Sequence, residues 1–235
     1  MPSRIDGSPL DDDNLLALWP LDGDSDERNS GQAGIDTDLS YEDGILGECV
    51  RLSGNTSGID TQLVPSIVGI PWSMMMWVKP ADVTPSNTQF FIANDDKQGL
   101  RQFNWGMNTN GTFHFEQRPT MAEFIGTGAS LTTDWQHIAL TSTGSLLYSY
   151  IDGELNTGPT GCYPLYVTAN TLTIGMRKYD GYAMGLVGDI DDVGIFDRCI
   201  SSDDIKDFYN DQLATRNFIK KYRRTRVTGP ITGVE

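Results

Sequence analysis

The stretch Gly185-Leu-Val-Gly-Asp-Ile-Asp-Asp-Val-Gly-Ile-Phe-Asp-Arg-Cys-Ile-Ser201 decides the fold. Apolar and polar residues alternate along it, the mark of a strand with one buried face. From Asp189 to Asp197 the odd positions read Asp, Asp, Val, Ile, Asp, which puts Val193 and Ile195 on the buried face and aims Asp191 the same way. A carboxylate aimed inward needs a metal ion, an arginine or a set of backbone N–H groups. The stretch then turns into Ser201-Ser-Asp-Asp204, a capping serine with an acid three residues later, which opens a helix.

Strand signals recur upstream. Leu15-Leu-Ala-Leu-Trp-Pro-Leu21 is apolar at successive positions, as in a strand covered on both sides. Residues 22–44 read as loop, rich in Asp, Gly and Ser. Cys49-Val-Arg-Leu52 and Trp72-Ser-Met-Met-Met-Trp-Val-Lys79 follow as strands, the second ended by Pro80. Asn110-Gly111 marks a tight hairpin between Phe103–Met107 and Thr112–Glu116, and Asp152-Gly153 another after Leu146–Ile151. Gln89–Ala93, Trp135–Thr141, Leu172–Ile174 and Val187–Phe196 complete the set. Only residues 202–222 carry a helical pattern, with Ile205, Phe208, Tyr209 and Leu213 on one face. The expected fold is all-β, a two-sheet antiparallel jelly-roll sandwich with a short C-terminal helix and extended termini. Trp77, Val78, Ile138, Leu140, Val193 and Ile195 are its expected core, joined by Trp19, Trp72 and Trp135, with Trp105 left open. The expected boundaries are an N-terminal arm at 1–13, a sandwich at 14–213 and a basic C-terminal tail at 214–235.

Composition narrows the class. No run of 18 apolar residues exists, so no helical membrane span is expected. The first residues lack the apolar core of a secretory signal, which points to synthesis in the cytoplasm and release without that route. Cys49, Cys162 and Cys199 are far apart and odd in number, so they read as free thiols. The net charge is −15, from 17 basic and 32 acidic residues, and it is unevenly spread. Arg216, Lys220, Lys221, Arg223, Arg224 and Arg226 hold six of the bases, leaving eleven bases against thirty-one acids, or −20, in the body before residue 215. Such a body repels nucleic acid, so a nucleic-acid partner is not expected, and the basic segment stands out as a local exception.

Five stretches taken in order resemble the laminin G-like jelly rolls of the concanavalin A-like lectin/glucanase superfamily. They are Leu16-Ala-Leu-Trp-Pro-Leu-Asp22, Ser73-Met-Met-Met-Trp-Val-Lys-Pro80, Trp135-Gln-His-Ile-Ala-Leu-Thr141, Tyr150-Ile-Asp-Gly-Glu-Leu155 and Gly188 to Ser201. The resemblance spans about residues 14–213. It implies one structural Ca2+ between the opening loop and the closing strand, held here by Asp22 or a neighbour (Asp24, Asp26) and by Asp191 or Asp192. The chain departs from the family's D-x-S-G motif, which falls on Arg28-Asn-Ser-Gly31 with Arg at the acid's position. Arg28 is therefore an alternative counter-ion for Asp191. The related glucanases place two Glu four residues apart on one strand, whereas here position 193 is Val and no Glu lies between Glu154 and Glu235. Hydrolase activity is not expected.

Two further sets of residues are candidates for binding. Tyr163, Tyr166, Tyr179 and Tyr182 lie in loop-like segments, where tyrosine either stacks on sugars or covers the sandwich edge. His114 and His137 have no nucleophile signature beside them and read as structural. Lys220, Lys221, Arg223, Arg224 and Arg226 read as a docking element for sibling or other structural subunits, with the N-terminal arm as a second one. The resulting expectation is a non-catalytic lectin-like module within a larger assembly, a decoration, fibre or tail component of a phage or virus particle that contacts surface glycans. The expected location is a virion or other extracellular particle. The alternative is a carbohydrate-binding or spacer domain of a secreted glycan-degrading enzyme.

Overall fold

The computed structural model describes residues 13–65, 67, 69–95, 101–117, 122–125, 128–163, 165, 170–177 and 184–227, the last twelve of these through their backbone alone. In chain order its strands are β1 (Leu15–Trp19), β2 (Ile35–Thr37), β3 (Leu39–Asp43), β4 (Glu48–Ser53), β5 (Gly58–Asp60), β6 (Trp72–Pro80), β7 (Gln89–Asp95) and β8 (Arg101–Met107). There follow β9 (Phe113–Gln117), β10 (Ala122–Ile125), β11 (Gln136–Ser142), β12 (Leu146–Ile151), β13 (Glu154–Gly161), β14 (Thr173–Ile174), β15 (Val187–Phe196) and the helix α1 (Ser202–Val227).

One sheet has the order β13-β12-β11-β6-β15-β4-β3, with β1 as an eighth strand paired to β15. The other runs β10-β9-β8-β7-β14-β5-β2. Every paired strand is antiparallel, as the sandwich expectation requires. Trp19, Trp72, Val78, Phe91, Trp105, Ile138, Leu140, Ile190, Val193 and Ile195 fill the space between the sheets. Trp105 is thereby settled as core, whereas Trp135, expected there, precedes β11 and is only partly buried. The strands β2 and β3 fall in the segment read as loop. Both are edge strands: β2 is exposed along its length, and β3 packs only Leu39 and Tyr41 partly against the core, too short an alternation to stand out in an Asp-, Gly- and Ser-rich stretch.

The central strand β6 is buried on both faces, which explains its unbroken apolar run. Met74, Met76 and Val78 point between the sheets, while Met75 and Trp77 point outward and lie under α1. Trp77 is thus buried as expected, but in a second small core beneath the helix. Ala139, Tyr150, Phe196, Ile200, Ile205 and Phe208 complete that core with Met75. Ser201 caps the helix, its Oγ accepting from the Asp204 N–H at 3.1 Å, and Arg198 pairs with the Asp204 carboxylate at 3.2 Å.

The helix does not give way to a tail at 214 but continues through the basic segment to Val227. No Gly or Pro interrupts residues 214–228, and Lys and Arg near a helix C-terminus complement its dipole. Residues 1–12 of the expected N-terminal arm (1–13) and the end at 228–235 lie outside the described residues.

His137 sits at the centre of the outer core, its ring against Trp77 at 5.4 Å and Phe208 at 5.3 Å. Among the described residues neither ring nitrogen has a hydrogen-bond partner. Burial pushes its pKa down to about 3. The unfolded chain takes up this proton near pH 6.5, long before the folded one does. The contribution is therefore fully present above about pH 6.5 and is lost as pH falls toward 3, by up to about 1.4 kcal/mol per pH unit. Urea unfolding between pH 7 and 4 should show a steeper loss of stability for the wild type than for His137→Leu. Parallel curves for the two proteins would show that the imidazole titrates as it does in water.

Candidate functional site

β15 changes partner halfway along its length. Its first residues, Val187–Ile190, pair with β4, and its last, Val193–Phe196, pair with β1. Against β6 the register slips between Asp191 and Gly194, where three steps on β15 oppose two on β6. Asp192 sits in this bulge with φ +50°. The bulge changes the parity of the strand, so Ile190 and Val193 both face the sheet interior and Asp191 does not share their face. Inward alternation is therefore not what directs Asp191.

Two loops converge on the bulge, one leaving β1 and one entering β4. Asp191 is 1% exposed and its Oδ2 accepts from the Ile45 N–H at 2.7 Å. Asp22 accepts from the Glu48 N–H at 2.8 Å. The turn between β3 and β4 wraps these carboxylates closely. A Cβ on Gly44 would lie 2.3 Å from Asp191 Oδ2, and one on Gly47 would lie 1.9 Å from Asp22 Oδ1. Only glycine leaves room for the oxygens at both positions. The pKa values of Asp191 and Asp192 are both raised. Burial is the first cause for each; repulsion from Asp192 and Asp22 adds to it at Asp191, and repulsion from Asp22 at Asp192.

Asp192 also touches the helix. Its Oδ2 accepts from Gln212 Nε2 at 3.2 Å, while Gln212 Oε1 accepts from Trp77 Nε1. A single buried glutamine thus ties α1 to the bulge.

The other expected acid-site residues lie elsewhere. Asp26 donates its backbone N–H to Asp24 Oδ1 at 3.1 Å. Arg28 pairs with Asp24 at 2.9 Å, not with Asp191, because it leaves the loop on the outer side. The acid missing at position 28 is supplied one residue earlier. Buried Glu27 accepts from Leu18 N at 2.8 Å, Asn29 N at 2.9 Å, Ser30 N at 2.5 Å and Ser30 Oγ at 2.6 Å. Burial works to raise its pKa, but these donors together hold it below the usual value. Its signal in the sequence was the Glu-x-x-Ser spacing of a loop that folds back on its own acid.

Of the four tyrosines, Tyr163 is described and Tyr166, Tyr179 and Tyr182 lie outside the described residues. Tyr163 is 48% exposed. Its main chain is held on both sides by the buried amide of Gln117, whose Oε1 accepts from Tyr163 N at 3.0 Å and whose Nε2 donates to Tyr163 O.

On the outer face of the seven-stranded sheet, His114 pairs with Glu116 at 3.2 Å and Asn104 donates to Glu116 at 3.2 Å. The Arg177 guanidinium lies 5.5 Å from the centre of the Phe90 ring, which packs on His114. This polar group was readable from the alternation of Phe113, His114, Phe115 and Glu116, once the phenylalanines are placed inside.

The eight-stranded sheet carries an ion cluster of its own. Arg51 on β4 grips Asp189 on β15 with two nitrogens, at 2.7 and 3.0 Å, and reaches Glu42 at 2.9 Å. Lys79 on β6 approaches the same carboxylate from the other side at 3.5 Å. Asp189 is thus paired to cations, Asp191 faces a turn and Val193 is core. Asp189 and Asp191 share the outer face, but the position four residues after Asp189 is the core residue Val193, so the strand lacks the two carboxylates four residues apart that the related glucanases carry. Lys220, Lys221, Arg223, Arg224 and Arg226 lie along the last turns of α1, where the backbone alone is described.

Comparison with known proteins fits this geometry. The model of a laminin G-like family, described as the concanavalin A-like lectin/glucanases superfamily, matches residues 53–206. A mouse protein, the sushi, von Willebrand factor type A, EGF and pentraxin domain-containing protein 1, is 31% identical over 144 residues, which are 55% of this chain and 4% of its own length. Among solved structures, domain 4 of the extracellular arabinanase AbnA from Geobacillus stearothermophilus, in complex with arabinotriose, superposes with a TM-score of 0.67 at 20% identity, covering 83% of this chain and 98% of that domain. The binding domain of Paraclostridial mosquitocidal protein 1 gives 0.69 at 14% identity over 85% of this chain and 52% of its own. Trypanosoma rangeli sialidase in complex with sialic acid gives 0.64 at 12% over 83% and 32%. These structural likenesses speak for the fold. With its strand order, its two sheets and the matched segment in agreement, the chain belongs to the laminin G-like family of the concanavalin A-like lectin/glucanases superfamily.

Proposed function

We propose that the chain is a non-catalytic lectin-like module that binds glycans and works inside a larger assembly. The observation that carries this reading is Tyr163. Among the described residues it is the one strongly exposed aromatic side chain, and its backbone is fixed from both sides. An exposed ring on a fixed main chain offers a sugar a stacking face at reduced entropic cost. Binding without hydrolysis is supported by Val193, a core residue where a second carboxylate four residues from Asp189 would stand. On a panel of polysaccharides the wild type should bind without releasing reducing ends, and Tyr163→Ala should weaken binding a few-fold to about tenfold while melting normally. Turnover of any glucan that disappears in Asp189→Asn or Asp191→Asn protein would overturn the non-catalytic part.

A structural calcium ion belongs to the same reading. Asp22, Asp191 and Asp192 are hard oxygen donors brought together by the bulge and the two loops, and they repel one another without an added cation. Among the described residues they do not close a cage of three side chains, so carbonyls of the 43–47 turn would complete the shell. The ion would supply charge neutralisation and fasten both loops to β15. Adding a chelator should lower the melting midpoint, because an ion bound only to the folded state stabilises it by mass action, about 2.7 kcal/mol at a hundred times the Kd. An unchanged midpoint and no calcium by elemental analysis would remove the ion from this reading.

The assembly we have in mind is a phage or virus particle in which this module is a decoration, fibre or tail component. Its support is the contrast between a body of −20 and a helix end that carries six bases within residues 216–226. Deleting residues 216–235 should leave a folded monomer that no longer associates, and the wild-type association should weaken with salt. Normal assembly of the truncated chain at physiological salt would sink the docking role. A second reading, a carbohydrate-binding or spacer domain of a glycan-degrading enzyme, is favoured by the superposition that covers 98% of an arabinanase domain. A clean monomer that binds polysaccharide would select it.

A further inference from the structure

The outer core under α1 is separate from the core between the sheets, and it encloses an ionisable group. His137 points outward from β11 and is fully buried. Its ring packs on Trp77, Phe208 and Tyr209, at 5.4, 5.3 and 6.2 Å between ring centres. Among the described residues neither of its nitrogens has a hydrogen-bond partner. Two of the three rings, Phe208 and Tyr209, belong to α1. The helix therefore closes the pocket in which the imidazole must stay neutral. An imidazolium there would carry two N–H donors with no acceptor. The aromatic faces attract a cation, but they do not replace the water that two buried donors have lost.

The titratable groups around His137 do not answer that charge. Asp152, at the turn between β12 and β13, accepts from the His137 backbone N–H at 2.9 Å and not from its ring. Burial raises the pKa of Asp152, and it is also the first cause of the raised pKa of Tyr209. On β6 the neighbour is Trp77, with Asp191 opposite it on β15, on the far side of that strand. Lys206 of α1 is tied to exposed Glu154 at 2.5 Å. Asp203, Asp207 and Asp211 lie on the exposed side of the helix. A carboxyl whose pKa is raised in the fold favours the fold on acidification, so Asp152 acts in the opposite sense to His137.

No strand ladder is broken if the helix leaves. α1 follows the last strand, and the stretch before it is pinned independently. Ser73 Oγ donates to Arg198 O at 2.8 Å and accepts from Ile200 N at 2.9 Å. What α1 lays on the outer face is Ile205 and Phe208, with Tyr209 and Gln212 against Trp77. A terminal element held by so few side chains opens at lower cost than the sheets do. We propose that α1 is an acid-released cover: protonation of His137 lifts the helix from β6 and β11 and uncovers Met75, Trp77 and Ala139, while the two-sheet sandwich stays folded. In the released state the imidazole regains its ordinary proton affinity, with a pKa of about 6.5, so each pH unit below that value favours release about tenfold. Release also withdraws Gln212 from Asp192, which links the cover to the bulge.

The test is amide hydrogen exchange of the full chain, read by mass spectrometry from pH 7.5 to 5.0 and corrected for the pH dependence of intrinsic exchange. This range stays above the ordinary carboxylate pKa of about 4. Protection of residues 202–212 should fall about thirtyfold between pH 6.5 and 5.0, while β6, β11 and β15 keep theirs. His137→Phe and His137→Leu, which fill the pocket without a titrating group, should show no such fall. The chain has two histidines, so NMR can follow the His137 ring in the wild type, where proton uptake should coincide with loss of helix protection. Protection lost together in the helix and the strands would mark global unfolding and overturn the release. Flat protection across the range would overturn it as well, as would a fall of equal size in either folded variant. Protonation of the His137 ring with residues 202–212 still protected would show a charged imidazole beneath a docked helix, and it would overturn the proposal without recourse to any variant.

Discussion

The bulge at Asp191 and Asp192 is the constraint on which the rest of the arrangement depends. β15 is flanked by β6 on one side and by two different strands on the other, β4 first and then β1. Where one neighbour ends and the next begins, backbone groups of β15 lose their ladder partners, and an extra residue absorbs the mismatch. Placing two carboxylates there is costly unless something answers their charge. The turn before β4 answers in part with its N–H groups, and its two glycines let those groups come close. The same point fixes the outgoing loop of β1 through Asp22. Three separate stretches of chain are thus joined at a spot that the hydrophobic core does not reach.

The helix belongs to the same construction. A strand such as β6, apolar on both faces, needs a cover on its outer side, and α1 supplies it with Ile205 and Phe208. Gln212 then connects this cover to the bulge, since its amide faces Trp77 on one side and Asp192 on the other. Replacing it with an apolar residue would leave both an indole N–H and a carboxylate short of a partner in a buried setting, which is costlier than losing either bond in water. Position 212 therefore couples two parts of the molecule that hydrophobic packing alone would leave independent.

The sequence made the layers legible and left the irregularities hidden. Alternation in Trp72–Lys79, Phe103–Met107, Thr112–Glu116 and Val187–Phe196 is enough for two antiparallel sheets, because burial at every second residue is what a pleated strand between core and surface produces. It misled at Asp191, since a bulge is a one-residue shift that no residue type announces, and parity read from Val193 does not survive it. It overlooked β2 and β3, which are edge strands with little to bury. The Arg28 departure drew attention to the wrong position. Glu27 does the work there by geometry, its side chain folding back to collect donors from both Leu18 and Ser30. The helix was placed correctly at its start, where capping is local. Its end was not, because lysines and arginines are as compatible with a helix as with a solvated tail. The ion row of Lys79, Asp189 and Arg51 was invisible because its members come from three strands, two of them more than a hundred residues from the third, and only the register brings them together.

Charge limits what such a sandwich can hold. A body of −20 disfavours anions almost everywhere on its surface, so a place where cations outnumber carboxylates is the place where an anionic ligand meets the least opposition. Among the described residues of the sheet, Lys79 and Arg51 do not make such a place, because Asp189 and Glu42 answer both of them. What the sandwich can take up by contact is therefore set by shape more than by charge. If Tyr163 receives a sugar, as proposed, its ring would select on the sugar's face, and the Gln117 amide, by fixing the Tyr163 main chain, would keep that ring beside β9.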